Sequence, residues 1–309
     1  VLRRPEAITV LLTVIALLVG GHFAPRLLDL GFLLDKTSIY MPVGMMALAM
    51  TLVIVAGQID LSVASGTVLC SVVAGLAYRH GASMGVVFPV ALGTGVVLGA
   101  FNGLLVGYLR LPALVVTLGT LALYRGLAQV LIGNDAVHGF PDWFCDAYAQ
   151  TVGPVPWPVL LFVGLGLAMA FVLGKTTFGR RLVVIGTNER AARYAAVNVP
   201  LAKLLTFTVS GLFMGIAALL LISQLDSADH LQLKGGELLA ITAVVLGGTS
   251  INGGRGSVIG TILALVLVVV VDSAMGMNNL RAEYKLAIIG ALLVLAVLLA
   301  DVTGRWKSR

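Results

Sequence analysis

The chain has 309 residues, 59% of them hydrophobic and 11% charged, with a mean hydropathy of +1.04 and a formal net charge of +6. Soluble domains carry about 25% charged residues, so the polar surface here is too small for a water-soluble protein and the chain belongs in a lipid bilayer. In such a protein the positive charge reports which loops carry Lys and Arg, and no nucleic-acid partner is expected.

Apolar runs predict ten helices, near 7–21, 39–56, 61–78, 84–107, 113–132, 155–174, 203–223, 237–248, 257–275 and 284–301. The expected fold is all-α: one transmembrane helical bundle over residues 1–309, including broken or half helices, with 175–203 as an inner loop. The opening "RRPEAITVLLTVIALLVGG" is basic, then apolar, then small. It lacks a clear cleavage motif and the following chain is equally apolar, so an uncleaved first span is expected rather than a signal peptide.

The second and third runs are parted only by "AGQIDLSVASGTVL", Ala56 to Leu69. Irregular polar backbone at membrane depth survives only inside protein or beside a watery cavity. Within it, Asp60 precedes an apolar run and can accept free backbone amides as a helix cap. A carboxylate there can equally be a direct ligand on a substrate path, and the two roles are compatible. Cys70 follows in an apolar run and Cys145 in a polar loop; they form neither a disulfide framework nor a metal set. The outer loop 133–154 holds Asp135, Asp142 and Asp146 and no Lys or Arg.

The inner loop 175–203 holds six basic residues. From Thr187 it reads as a helix: Thr187 or Asn188 caps it, Glu189 suits its positive end, and Pro200 stops it. Ala191, Ala192, Ala195 and Ala196 give it a low profile from which Tyr194 projects. Such a helix suits either a partner's groove or the bilayer surface. The eighth run ends in "GGTSINGGRG", a second Gly- and Ser-rich break that echoes the first. Paired breaks in the two halves of a chain point to the substrate path of a transporter, and two tight helical turns alike by chance give the same pattern.

With both termini inside, 13 of the 20 basic residues fall on inner segments and six outside, with Arg125 within a span. His22, His80, His138 and His230 all fall outside, which disfavours a proton relay on intramembrane histidine. "LGKTT" at Leu173–Thr177 is no phosphate-binding loop, because its first glycine should stand at Met169. Any ATP is therefore hydrolysed by another chain. "GLLVG", "GLFMG" and "GSVIG" report close helix packing. The polar residues within spans are Asn102, Thr117, Thr120, Arg125, Glu237, Thr242 and Asp272.

Four motifs resemble those of the permease subunits of bacterial ATP-binding-cassette sugar importers of the ribose type, a branch that also serves rhamnose and autoinducer 2. They are "GQIDLSVASG", "NGLLVGYLRLPALVVTLGTLALYRGLA", "TTFGRRLVVIGTNERAARYAAVNV" and "ELLAITAVVLGGTSINGGRGSVIGT". Together they span residues 30 to 300 in the family's order. Gln58 stands where the family usually has Gly, Ala64 where a second Gly is usual, and Ala196-Val197-Asn198 where Ser-Gly-Ile is usual. The inner-loop departures fit one member of a non-identical permease pair.

The resemblance implies a multi-pass protein of the bacterial inner membrane. Its partners would be an ATPase subunit that binds ATP and Mg, a second permease copy or paralogue, and a periplasmic sugar-binding protein. No cofactor is expected in this chain. The helix formed by Asn188, Glu189, Arg190, Ala191, Ala192, Tyr194 and Ala195 would couple to the ATPase. Gln58, Asp60, Ser62, Asn102, Thr117, Thr120, Glu237 and Thr249 are candidates for the translocation path. The rival reading is an ion-coupled carrier using Asp60 or Glu237. An intramembrane enzyme lacks a visible nucleophile–base pair.

Overall fold

A computed structural model of the chain describes residues 5–278 and eight positions between 280 and 294. The regular structure of the described chain is helical apart from two short strand pairs, one a hairpin and one joining distant segments. The helices are α1 (Pro5–Phe23), α2 (Leu30–Ile39), α3 (Met41–Val55), α4 (Val63–Arg79), α5 (Met84–Gly107), α6 (Ala113–Ile132), α7 (Asp142–Ala149), α8 (Trp157–Lys175), α9 (Thr177–Thr187), α10 (Glu189–Tyr194), α11 (Val199–Leu225), α12 (Gly236–Leu246) and α13 (Val258–Met277).

Five of these, α5, α6, α8, α11 and α13, are each long and apolar enough to cross a membrane. The molecule is a polytopic helical membrane protein, and its described residues show these five single helices of spanning length among the ten expected runs, broken and half helices included. The expected second span, 39–56, is α3; an unexpected helix, α2, precedes it, and the pair is bent by 68° at Tyr40. The expected eighth is α12, whose 11 residues rise only about 16 Å, half of a ~30 Å hydrocarbon core. Hydropathy counts apolar residues without seeing where Gly247 and Gly248 end the helix. The expected tenth span, 284–301, lies mostly outside the described residues.

α3 forms the axis of the bundle. All 15 of its residues are buried, which explains why it carries no polar face: a helix apolar all round is one surrounded by others. α11 flanks it and packs tightly on α5. Gly95, Gly99, Gly103 and Gly107 recur every fourth residue on α5 and so share one face. A Cβ on Gly103 would stand 2.8 Å from Leu204 Cα, and one on Gly99 would run into the Phe207 carbonyl. Backbones this close gain dispersion contact along the whole seam.

Three hydrogen bonds hold the α2–α3 bend. Tyr40 donates to Asp272 of α13 at 2.5 Å, Tyr148 donates to the Ser38 carbonyl at 2.6 Å, and the Gln224 amide donates to the Ile39 carbonyl at 3.2 Å. The last two satisfy carbonyls left open where α2 ends.

The segment between α6 and α8 forms a cap at the end of the bundle reached by the C-terminal turn of α4. Strand β1 (Val137–His138) pairs antiparallel with β4 (Ser227–Ala228), and β2 (Thr151–Val152) with β3 (Val155–Pro156). Asp226, in the left-handed region at φ +44, ties the cap to α11. Its carboxylate accepts the Phe140 N–H at 2.8 Å and lies 3.5 Å from the Cys145 thiol. The Phe140 ring stacks on Tyr78 of α4 at 4.7 Å.

Candidate functional site

The chain leaves α3 through Ala56 and Gly57 and re-enters helix at Val63. Gly57 adopts φ +72, which glycine takes without steric cost. The expected helix cap is displaced by two residues: Ser62 is the N-cap of α4, and Asp60 closes an Asx turn ahead of it. Asp60 Oδ1 accepts the Ser62 N–H at 3.0 Å and the Ser62 hydroxyl at 2.6 Å, while Oδ2 accepts the Ser210 hydroxyl of α11 at 3.0 Å. Three donors on one fully buried carboxyl group offset the several kcal/mol that removing it from water costs.

The network continues outward. Ser62 Oγ accepts from the Asn102 amide of α5 at 2.8 Å. Asn102 Oδ1 lies 3.2 Å from the Tyr124 hydroxyl of α6, which also reaches the Leu98 carbonyl at 3.0 Å. Thr117 donates to the Ile59 carbonyl at 3.1 Å, and Thr120 returns a bond to Thr117 of its own helix. Four elements, α4, α5, α6 and α11, are thus pinned to the first break by polar side chains.

Of the eight expected path residues, Asp60, Ser62, Asn102, Thr117, Thr120 and Thr249 are buried, while Gln58 and Glu237 are half-buried. The first five form the network. Thr249 lies in the second break, where its hydroxyl oxygen accepts the Ser257 N–H at 3.4 Å. Glu237 stands in the first turn of α12, where the helix dipole favours an acid. Ser210 and Tyr124 complete the network but gave no sequence signal, because their partners lie far along the chain. The two breaks meet: the Val55 carbonyl at the end of α3 accepts the Gly254 N–H of the second break at 2.9 Å.

The inner loop is two helices rather than one loop and a helix. Thr176 caps α9 by accepting the Gly179 N–H at 3.2 Å. α9 buries Leu182 and Ile185 against Leu52, Val55 and Ala56 of α3 and its end. Asn188 then caps α10, accepting the Ala191 N–H at 3.0 Å, as one of the two expected caps. Pro200 does not stop this helix. α10 ends at Tyr194, with Ala196 turned to φ +57, and Pro200 sits in the first turn of α11, where its missing N–H costs nothing.

Asn188, Arg190, Ala191, Tyr194 and Ala195 are exposed, with Tyr194 93% exposed. Ala192 is instead buried among Leu182, Ile185 and Val199 and presents nothing outward. Glu189 is half-buried and bridges two cations: Arg193 at 2.6 Å and Lys203 of α11 at 2.8 Å. Burial alone would raise its carboxyl, but the hydrogen bonds and charges of Lys203 and Arg193 outweigh this and hold it below the ordinary carboxylate range.

Apolar helices around two partly buried polar breaks, with a short exposed helix tied to the longest span, fit a membrane permease. Residues 33–297 match the family described as branched-chain amino acid transport system / permease component, and the chain belongs to that family. It is similar to the autoinducer 2 import system permease protein LsrD of Enterobacter sp. (strain 638), at 38% identity over 95% of this chain and 91% of that one. The LsrD proteins of Photorhabdus laumondii, at 37% over 96% and 94%, and Klebsiella pneumoniae, at 36% over 95% and 90%, are similar too. No solved structure matches the chain. It is a transport subunit of the ribose-type ATP-binding-cassette importers and not an enzyme; ATP hydrolysis belongs to a separate subunit.

Proposed function

We propose that this chain forms one half of the translocation path of an inner-membrane importer for a small polyhydroxylated solute of the autoinducer 2 kind. The observation that carries the coupling is α10: five of the seven expected coupling residues are exposed, and the Glu189–Lys203 ion pair ties the helix to α11. Seated in a groove of the ATPase subunit, α10 transmits the closure driven by ATP and Mg on that subunit. A periplasmic binding protein delivers solute to the outer face. A second, non-identical permease completes the path, in keeping with the departures at Ala196-Val197-Asn198. Both termini face the cytoplasm.

Weak neutral hydrogen bonding suffices along the path, because the binding protein supplies affinity. Gln58, Ser62, Asn102, Thr117, Thr120 and Thr249 supply such groups around the two breaks, with the acid Glu237 at the start of α12. Asp60 is fully engaged by Ser62 and Ser210, which favours an anchoring role over an ion site. The test is co-purification from solubilised membranes followed by uptake in reconstituted vesicles. An ATPase and a second permease chain should co-purify, and uptake should stop without ATP. Uptake that follows an ion gradient and needs no ATP overturns the reading.

A further inference from the structure

Three segments distant in sequence meet backbone to backbone at the end of the bundle that carries α10: the end of α3, the end of α9 and the loop between α12 and α13. The Val55 carbonyl has no partner within α3, and the Gly254 N–H satisfies it at 2.9 Å. A Cβ on Gly253 would stand 2.7 Å from Gly57 Cα and 3.0 Å from Gly186 Cα. A Cβ on Gly186 would run into the Val55 carbonyl oxygen and stand 2.5 Å from the Gly254 nitrogen. Gly57, Gly253 and Gly254 take φ of +72, +81 and +74, whereas Gly186 is glycine for room alone.

The neighbours at Gly186 are backbone atoms, so no rotamer change can make space; a methyl group there parts the segments. Only Thr187 separates Gly186 from Asn188, the cap of α10. The same position therefore touches both membrane breaks and adjoins the exposed helix.

We propose that Gly57, Gly186, Gly253 and Gly254 form a joint that carries displacement of α10 into both breaks at once. The inference rests on the reading that α10 seats in an ATPase. α9, the end of α3 and the second break then move as one body, while the inner end of α5 serves as the fixed reference. Gly186 is a positioning residue: it touches no solute and acts through the breaks.

Two measurements test this on the complex of permeases, ATPase and binding protein in vesicles. In Gly186→Ala, ATP hydrolysis by the assembled complex should continue while uptake falls at least about tenfold, because a displacement of an ångström in a coupled element suffices for such a loss. Uptake at the native rate overturns the joint. The second measurement keeps all four glycines. Spin labels on Val184→Cys of α9 and Asn252→Cys of the second break should hold a constant separation between nucleotide-free and ATP-trapped states, while both move relative to Leu109→Cys. A 184–252 separation that changes between the states overturns the joint even where Gly186→Ala fails to assemble. ATP-driven native uptake with a changing separation sinks the joint alone; native uptake without ATP sinks the importer reading and the joint with it.

Discussion

Asn102 is buried between two hydroxyl groups, donating to Ser62 and accepting from Tyr124. In Asn102→Leu the Ser62 and Tyr124 sides of the network each lose a partner, and stability should fall by about 1–3 kcal/mol, read as a lower thermal midpoint in detergent. Glu189 gives a pH signature. Its folded carboxyl is held below the ordinary range, so its contribution is fully present above that range and is lost as pH falls through the lowered value. Protection of the α10 amides, taken relative to the intrinsic exchange rate at each pH, should therefore be steady from neutrality into mild acid and fall below the ordinary carboxylate range, and Glu189→Gln should remove that dependence. Asp60, Ser62, Asn102 and the Asn188 cap were legible in the sequence, because a carboxylate or amide beside an apolar run needs a bonding partner. Ser210 was not: a lone serine on an apolar helix commonly returns a bond to its own backbone, and nothing local reports a carboxylate 150 residues away.

At the scale of elements, the α5–α11 seam has a built-in control. A side chain on Gly99 meets the Phe207 carbonyl and Gly211 backbone, whereas one on Gly93 of the same helix meets nothing within 4 Å. Gly99→Leu should prevent a stable fold, seen as loss of the monodisperse species in size-exclusion chromatography, and Gly93→Leu should leave it unchanged. The bend between α2 and α3 depends on long-range bonds; Tyr40→Phe should increase amide exchange around Ile39 and Tyr40 without altering α5 or α11. Both polar breaks were readable from glycine and serine enrichment. The bend was not, since Asp35-Lys36-Thr37-Ser38 just before it read as the end of a polar connection rather than as the last turns of a helix. Pro200 was misread because proline is equally at home just after one helix and just inside the next.

Across the whole molecule, apolar runs located the helices but did not say which cross the membrane singly, because a run of 11 residues and one of 27 differ in reach, not in polarity. The cap over α4 and α11 was legible only as an acidic loop. Its geometry is set by Asp226, whose carboxylate, with Asp142 and Asp146 nearby, surrounds Cys145. Burial first, and then these acids, push the Cys145 thiol up to about 11. At pH 7 only about one molecule in ten thousand would carry the reactive thiolate, and the other cysteine, Cys70, is sealed within α4. The native chain should therefore stay unmodified by maleimide at neutral pH, and mass spectrometry should begin to find adduct at Cys145 only as the solution turns strongly alkaline. The protein thus comes with its own silent chemical background, and a cysteine placed anywhere on its surface can report topology with neither native thiol removed.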